Sequence, residues 1–135
     1  MVQCMVKGAL LLTIFFGAND CTLLDGTSSR QHIPLAQYKA NLEDMVALAR
    51  AAGIENILLI TPPPINEVAR VAHNKKMHGD NAQDTAERTN AVAGEYAAAC
   101  KEVCQLRRFI LPQQCTVVSC TRALQTQCRG SSCAA

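Results

Sequence analysis

Four sets of residues in this sequence could do chemistry. They are the segment Gly17-Ala18-Asn19-Asp20, the serines Ser28 and Ser29 with the histidines His32, His73 and His78, a crowd of cysteines, and the pair Glu67 and Arg70. Taken alone, Gly17–Asp20 follows an apolar run and reads as an Asx-type turn, in which a short polar side chain bonds the neighbouring backbone. Serine catalysis needs a base within hydrogen-bond reach and a carboxylate to orient that base. His32 stands just before a helix, His73 and His78 lie in a polar stretch, and Ser28 and Ser29 lie in the loop DGTSSRQH. No spacing brings a serine, a histidine and a carboxylate together, so the histidines read as solvated surface groups. Glu67 and Arg70, one helical turn apart, read as a solvated ion pair rather than as substrate contacts.

The cysteines admit a metal reading. Cys100 and Cys104 share a helix face, and Cys115/Cys120 and Cys128/Cys133 form two further pairs, each with four residues between. Structural zinc accepts such spacing without requiring it. Cys100 is better explained as core packing, and no metal is expected. The count of eight is even, which would suit a secreted disulfide framework. Against that, residues 22–99 contain no cysteine at all.

The elements that must position these groups are alternating strands and helices. ALLLTIFF (9–16) is short, continuously apolar and ended by the Gly17–Asp20 turn cluster, as expected of a buried parallel strand. Lys7 and the run after it also resemble a secretory leader. Phe16 would occupy the cleavage end, where a small residue is wanted, so the strand is the better reading. It favours a cytoplasmic over a secreted chain. Pro34 opens a helix with the apolar stripe Tyr38, Leu42, Met45, Ala49 and Ala52, broadened by Val46 and Leu48. Gly53 ends it as a left-handed cap, with Ile54 packing back on the last turn. NILLIT (56–61) is the second strand, stopped by Pro62, Pro63 and Pro64. Residues 65–83 read as a short helix or long loop. A second long helix is expected from about Thr85 to Gln105, with Asp84 as N-cap and Glu87 completing a capping box. Its inner stripe is Thr89, Ala93, Tyr96, Cys100, Val103 and Cys104. FIL (109–111) and TVV (116–118) could be short strands. Strand, helix, strand, helix is the pattern of a parallel sheet covered on both faces, with sites at the carboxyl ends of its strands. That rule puts Gly17–Asp20 and Thr61–Pro64 on one rim.

Composition bounds the alternatives. The 135 residues fit one domain, and 49% hydrophobic content can fill one core. A net charge of +2 and only five aromatic residues argue against a nucleic-acid partner, which would need a basic stripe or a stacking platform. No apolar run reaches the length of a membrane span. The charge is unevenly spread: after Glu102 the only charges are Arg107, Arg108, Arg122 and Arg129. Residues 106–135 also lack a period that could bury one face, so they are expected to form a cysteine-rich, largely unpacked tail.

Gly17-Ala18-Asn19-Asp20 resembles the G-x-N-D block of the SGNH, or GDSL-type, hydrolases, in the form found in isoamyl-acetate-hydrolysing esterases. HIPLAQYKANLEDMV (32–46), ILLITPPPINEVAR (57–70) and ERTNAVAGEYAAAC (87–100) fit the same subfamily in order. The resemblance implies an incomplete three-layer α/β/α, flavodoxin-like fold with parallel strands over residues 1–105. It implies hydrolysis of short acyl esters by a serine, without a cofactor. Asn19 would donate a hydrogen bond to the carbonyl oxygen as it gains negative charge. Gly17 would let the backbone pass close to the pocket, and Thr61, Pro62 and Pro63 would form part of the cleft wall. The family's G-D-S block should precede G-x-N-D, and residues 1–10 contain no serine; its D-x-x-H block should follow the second helix, and no histidine follows His78. The chain by itself is therefore expected to be inactive. The alternatives are a non-catalytic interaction protein that keeps part of the ester cleft, and a secreted cysteine-rich protein. The oligomeric state is left open.

Overall fold

In the computed structural model, which describes residues 9–108 and 115–119, the two apolar segments pair as expected. β1 (Leu12–Phe15) and β2 (Ile57–Ile60) run parallel in the register Leu12↔Ile57 to Phe15↔Ile60. Asn56 braces the start of the pair. Its backbone carbonyl accepts from Leu12 N–H at 3.0 Å, and its side-chain amide donates to the Leu10 carbonyl at 2.8 Å.

α1 (Leu35–Ala51) connects them, with Pro34 as its N-cap. Tyr38, Leu42, Val46 and Ala49 are buried; Met45 is half-buried against the same core. Leu48 falls off the stripe and is 70% exposed. The helix ends in a Schellman motif. Ile54 N–H bonds the Ala49 carbonyl at 3.0 Å, and Gly53 N–H bonds the Arg50 carbonyl at 2.9 Å. Gly53 supplies the required left-handed φ of 84°, and Ile54 is buried as the closing apolar contact.

Residues 65–83 contain α2 (Glu67–His78), capped by the Asn66 side chain accepting from Ala69 N–H at 3.1 Å. α3 (Asn90–Arg108) begins five residues later than its sequence pattern suggested. Asp84 does not cap it, since its carboxylate pairs with Lys75 at 2.7 Å. Thr89 takes that place, its hydroxyl accepting from Val92 N–H at 3.2 Å, and Glu67 accepts from Asn90 N–H at 2.8 Å. The delay has a physical cause: Glu87 and Arg88 are both buried and bonded to distant loops, which holds their backbone out of the helix. The inner stripe of α3 holds, with Ala93, Tyr96, Cys100, Val103 and Cys104 buried.

β3 (Cys115–Val118) extends the sheet on the far side of β2, again parallel, giving the order β1-β2-β3. The 116–118 segment is thus a strand, inside the stretch expected to be unpacked. FIL (109–111), Arg122, Arg129 and the cysteines beyond 119 lie outside the described residues. Both long helices pack on one face, where Ile14, Ile57 and Leu59 join the core around Tyr38, Tyr96 and Val103. The incomplete α/β/α fold with parallel strands is present, and among the described residues the second face of its sheet is the part left open. On the second face Phe15 is 51% and Val118 48% exposed, alongside exposed Thr13 and half-buried Leu58 and Ile60. Cys21 and Cys100 are buried free thiols, and Cys104 is buried beside them in the core, which suits core packing. No helix of the described residues is long and apolar enough to cross a membrane.

Candidate functional site

Register fixes the rim. Because Phe15 faces Ile60 across the parallel ladder, the chain leaves both strands at the same level, and Gly17 meets Pro62 just beyond. Gly17 has φ +104°, and a Cβ there would stand 2.7 Å from Pro62 Cγ and 3.0 Å from the Tyr38 hydroxyl. Both the backbone conformation and the crowding demand glycine. Tyr38 donates to the Phe16 carbonyl at 3.3 Å, so the helix stripe helps to support the turn.

The turn itself is held by its backbone. Cys21 N–H bonds the Gly17 carbonyl at 3.1 Å. The Asn19 carbonyl accepts from Thr22 N–H at 3.2 Å and from the Thr22 hydroxyl at 2.7 Å. Asp20 offers its carbonyl to Ile33 N–H at 3.1 Å, tying the turn to the start of α1. Partial burial pushes the Asp20 carboxyl above its ordinary value, with the Gly17 backbone hydrogen bond opposing that rise. Burial likewise raises the Cys21 thiol, against the pull of the Arg88 charge.

The Asn19 side chain is exposed and does not form the Asx turn that its local sequence suggests. Its Oδ1 instead accepts from Arg88 Nη2 at 3.3 Å. Arg88 is 6% exposed and also bonds Gln31 Oε1 at 2.6 Å and Glu87 Oε1 at 2.8 Å. Glu87, 2% exposed, is the hub: Thr27 and Ser28 hydroxyls donate to its Oε2 at 2.9 and 2.7 Å, and Arg70 joins Arg88 on Oε1. Leu23 N–H bonds the Glu87 carbonyl at 2.8 Å, so the loop between β1 and α1 is latched onto the approach to α3. Desolvation, then repulsion by Arg88, depresses the Arg70 guanidinium.

Other residues singled out in the sequence are placed differently. Arg70 does not pair with Glu67, which caps α3. Ser28 gives its proton to a carboxylate rather than to an imidazole. His32 bonds the Thr22 carbonyl through Nδ1 at 2.6 Å, and His73 and His78 are exposed on α2. Thr61 is 1% exposed, and its hydroxyl and N–H face the Val118 carbonyl at 3.5 and 3.2 Å. Pro62 is buried beside Gly17, and Pro63 is half-buried. Glu87 and Arg88 were missed as a site-forming pair. The two N-cap residue types that follow them, Thr89 and Asn90, were the available sign that the helix starts later. What the arrangement offers chemically is one exposed carboxamide on a rigid rim, steadied from behind by a buried ion network.

Comparison with known proteins bears on the family to which the chain belongs. The model of the GDSL-like lipase/acylhydrolase family matches residues 5–112. A GDSL esterase/lipase of Arabidopsis thaliana is 44% identical over 99 residues, covering 70% of this chain and 40% of the plant protein. The isoamyl acetate-hydrolyzing esterase 1 homolog of Rattus norvegicus is 41% identical over 104 residues, covering 73% of this chain and 38% of the rat protein. Its Homo sapiens counterpart is 43% identical over 100 residues, or 70% and 36% of the two chains. The chain spans about two fifths of the length of the curated relatives it matches.

Proposed function

The chain belongs to the GDSL-like lipase/acylhydrolase family, and from that premise we propose that its rim is part of a short-acyl-ester cleft in which Asn19 donates to the oxyanion. The observation that carries this reading is the exposed Asn19 side chain, held on a backbone-anchored turn at the carboxyl ends of the strands. When an acyl ester is attacked, its carbonyl oxygen gains negative charge. A donor already fixed in place stabilises that charge without reorganising, and one such donor is worth roughly 100- to 1000-fold in rate. Gly17 keeps the backbone close to Pro62, which with Pro63 would border the acyl group. The isoamyl acetate-hydrolyzing name of several relatives supports a short ester as substrate class.

The same reading makes these 135 residues inactive by themselves. Ser28 is engaged with Glu87 and His32 with a backbone carbonyl, so neither is poised as nucleophile or base. Members of a catalytic triad act as a unit, and a donor without them retains only a small acceleration over water. The test compares turnover of p-nitrophenyl acetate by this chain with turnover by a longer chain that adds a Gly-Asp-Ser-type segment before it and an Asp-x-x-His segment after it. The expected result is background hydrolysis by the first, turnover by the second, and a roughly 100-fold or greater loss in the second on Asn19→Ala. Turnover by the 135 residues that disappears with Asn19→Ala would overturn the inactivity. An Asn19→Ala change without effect in an active longer chain would overturn the donor role.

A further inference from the structure

We infer that Arg88 is a positioning residue for Asn19: it selects which end of the Asn19 carboxamide faces the rim. The inference rests on the donor role proposed above and adds the device that makes it possible. A carboxamide has an accepting oxygen and a donating nitrogen on the same planar head, and an exposed asparagine can present either. Only the nitrogen serves an oxyanion. A guanidinium has donors and no acceptor, so the 3.3 Å contact from Arg88 Nη2 can be made only to Oδ1. With the oxygen taken up by Arg88, the exposed Asn19 side chain has Nδ2 left as the end that can donate.

Arg88 can do this because it is itself fixed. Its Nη1 lies 2.8 Å from Glu87 Oε1, and the same Nη2 lies 2.6 Å from Gln31 Oε1. The guanidinium plane is thus set by two acceptors on different segments before Asn19 is considered. Glu87 is set in turn by Arg70, Thr27 and Ser28. Lysine could not substitute for the fork, because one ammonium presents a point charge where two separated donors are used. The adjacent Asp20 carboxyl, partly buried, is the other charged group next to residue 19. It accepts but cannot donate when ionised, so it does not compete for Oδ1.

The experiment reads the contact in the 135-residue protein without any turnover. Asn19→Asp keeps the oxygen that Arg88 reaches and replaces the amide nitrogen by a second oxygen. The introduced carboxylate, followed by carbon-13 NMR during acid titration, should protonate about tenfold less readily beside Arg88 than in the Asn19→Asp/Arg88→Gln double variant. Asp20 is present in both, so its opposing effect cancels in the comparison. Equal titration in the two proteins overturns the inference. Should the double variant fail to fold, the Arg88 nitrogen-15 signals of the wild-type chain and of Asn19→Ala decide the matter. Nη2 should shift while Nη1, on Glu87, stays; an unmoved Nη2 overturns the inference. Both readouts are independent of ester hydrolysis. Failure of the donor role in the turnover assay would leave the contact standing, and loss of the contact would leave the donor role to be judged by turnover.

Discussion

Glu87→Gln removes one charge from the centre of the latch and leaves the shape almost unchanged. Glu87 is 2% exposed and Arg88 has 8% of its side chain exposed, so in the variant the Arg88 cation stays buried with its counter-ion gone. Breaking a buried pair on one side costs about 3–5 kcal/mol, because the remaining charge is desolvated without compensation. Arg70 contributes less, since 32% of its side chain is already exposed and can turn to water. The glutamine can still accept from Thr27 or Ser28, so those bonds add little to the loss. With total stability of about 5–15 kcal/mol for a domain, the variant should forfeit a large fraction of it. Urea denaturation gives the free energy, and the melting point should fall by about 10–20 °C for a chain of this size. The double variant Glu87→Gln/Arg88→Met should recover part of the loss, because it removes the orphaned charge as well. A loss under about 1 kcal/mol on Glu87→Gln would refute the argument. It would mean that Arg88 finds water on its own and that Asn19 has no fixed support.

Two further outcomes follow from the core and the turn. Gly17→Ala, which meets both a positive φ and Pro62 Cγ at 2.7 Å, should cost about 2–4 kcal/mol in urea denaturation. Gly53→Ala, at φ +84° with nothing within 4 Å of its new methyl group, should cost only about 1–2 kcal/mol, and equal losses would contradict the close approach at the rim. Alkaline pH should destabilise the fold. Burial holds Cys21 and Cys100 above the ordinary thiol value of 9.0 and Tyr38 above the ordinary 10.0. Folded-state values above the unfolded ones mean that stability is intact below about pH 9 and is lost as pH rises, because the unfolded chain ionises first. Melting points from about pH 8 to about pH 11 should therefore fall, and less steeply in Tyr38→Phe; an unchanged slope in that variant would exclude Tyr38 as a contributor.

What the sequence disclosed and what it hid divide along the range of the interactions. The Tyr38–Ala49 stripe, the Gly53 cap and the contact at Ile54 all lie along one helix and its end, each step spanning no more than about a turn and a half, so local pattern is enough to find them. The strand ends are also local events, since turn residues close β1 and prolines close β2, and the carboxyl-edge rule then aligns Gly17 with Pro62. The late start of α3 is different. Asp84 and Glu87 have the right spacing for a capping box, and the stripe from Thr89 onward supplies an apolar face. That local case loses to a tertiary one, because Glu87 is engaged by Thr27 and Ser28 from about sixty residues away and by Arg70. No local window on the sequence contains both partners of the bonds from Thr27 and Ser28. Likewise, a continuously apolar strand is the same string of letters whichever face is covered, so ALLLTIFF could not reveal that Phe15 stands 51% exposed.

The candidate site repeats that division within a single residue. Asn19 owes its place on the rim to short-range causes: a strand end, a left-handed glycine and the hydrogen bonds that Cys21 and Thr22 donate to the turn's backbone carbonyls. Its side-chain orientation has a long-range cause, a guanidinium 69 residues on. Locally, an asparagine after a strand is expected to fold its side chain back on the turn, with Oδ1 accepting from a backbone N–H, so that the turn rather than Arg88 would fix the carboxamide. Here the Thr22 N–H and hydroxyl both go to the Asn19 backbone carbonyl, which closes the turn without the carboxamide. The side chain is thereby released from structural duty at close range and recruited at long range. A polar group can be both exposed and oriented only when both conditions hold. The buried charges at Glu87 and Arg88, costly to place in a fold of this size, are intelligible as the means of meeting the second.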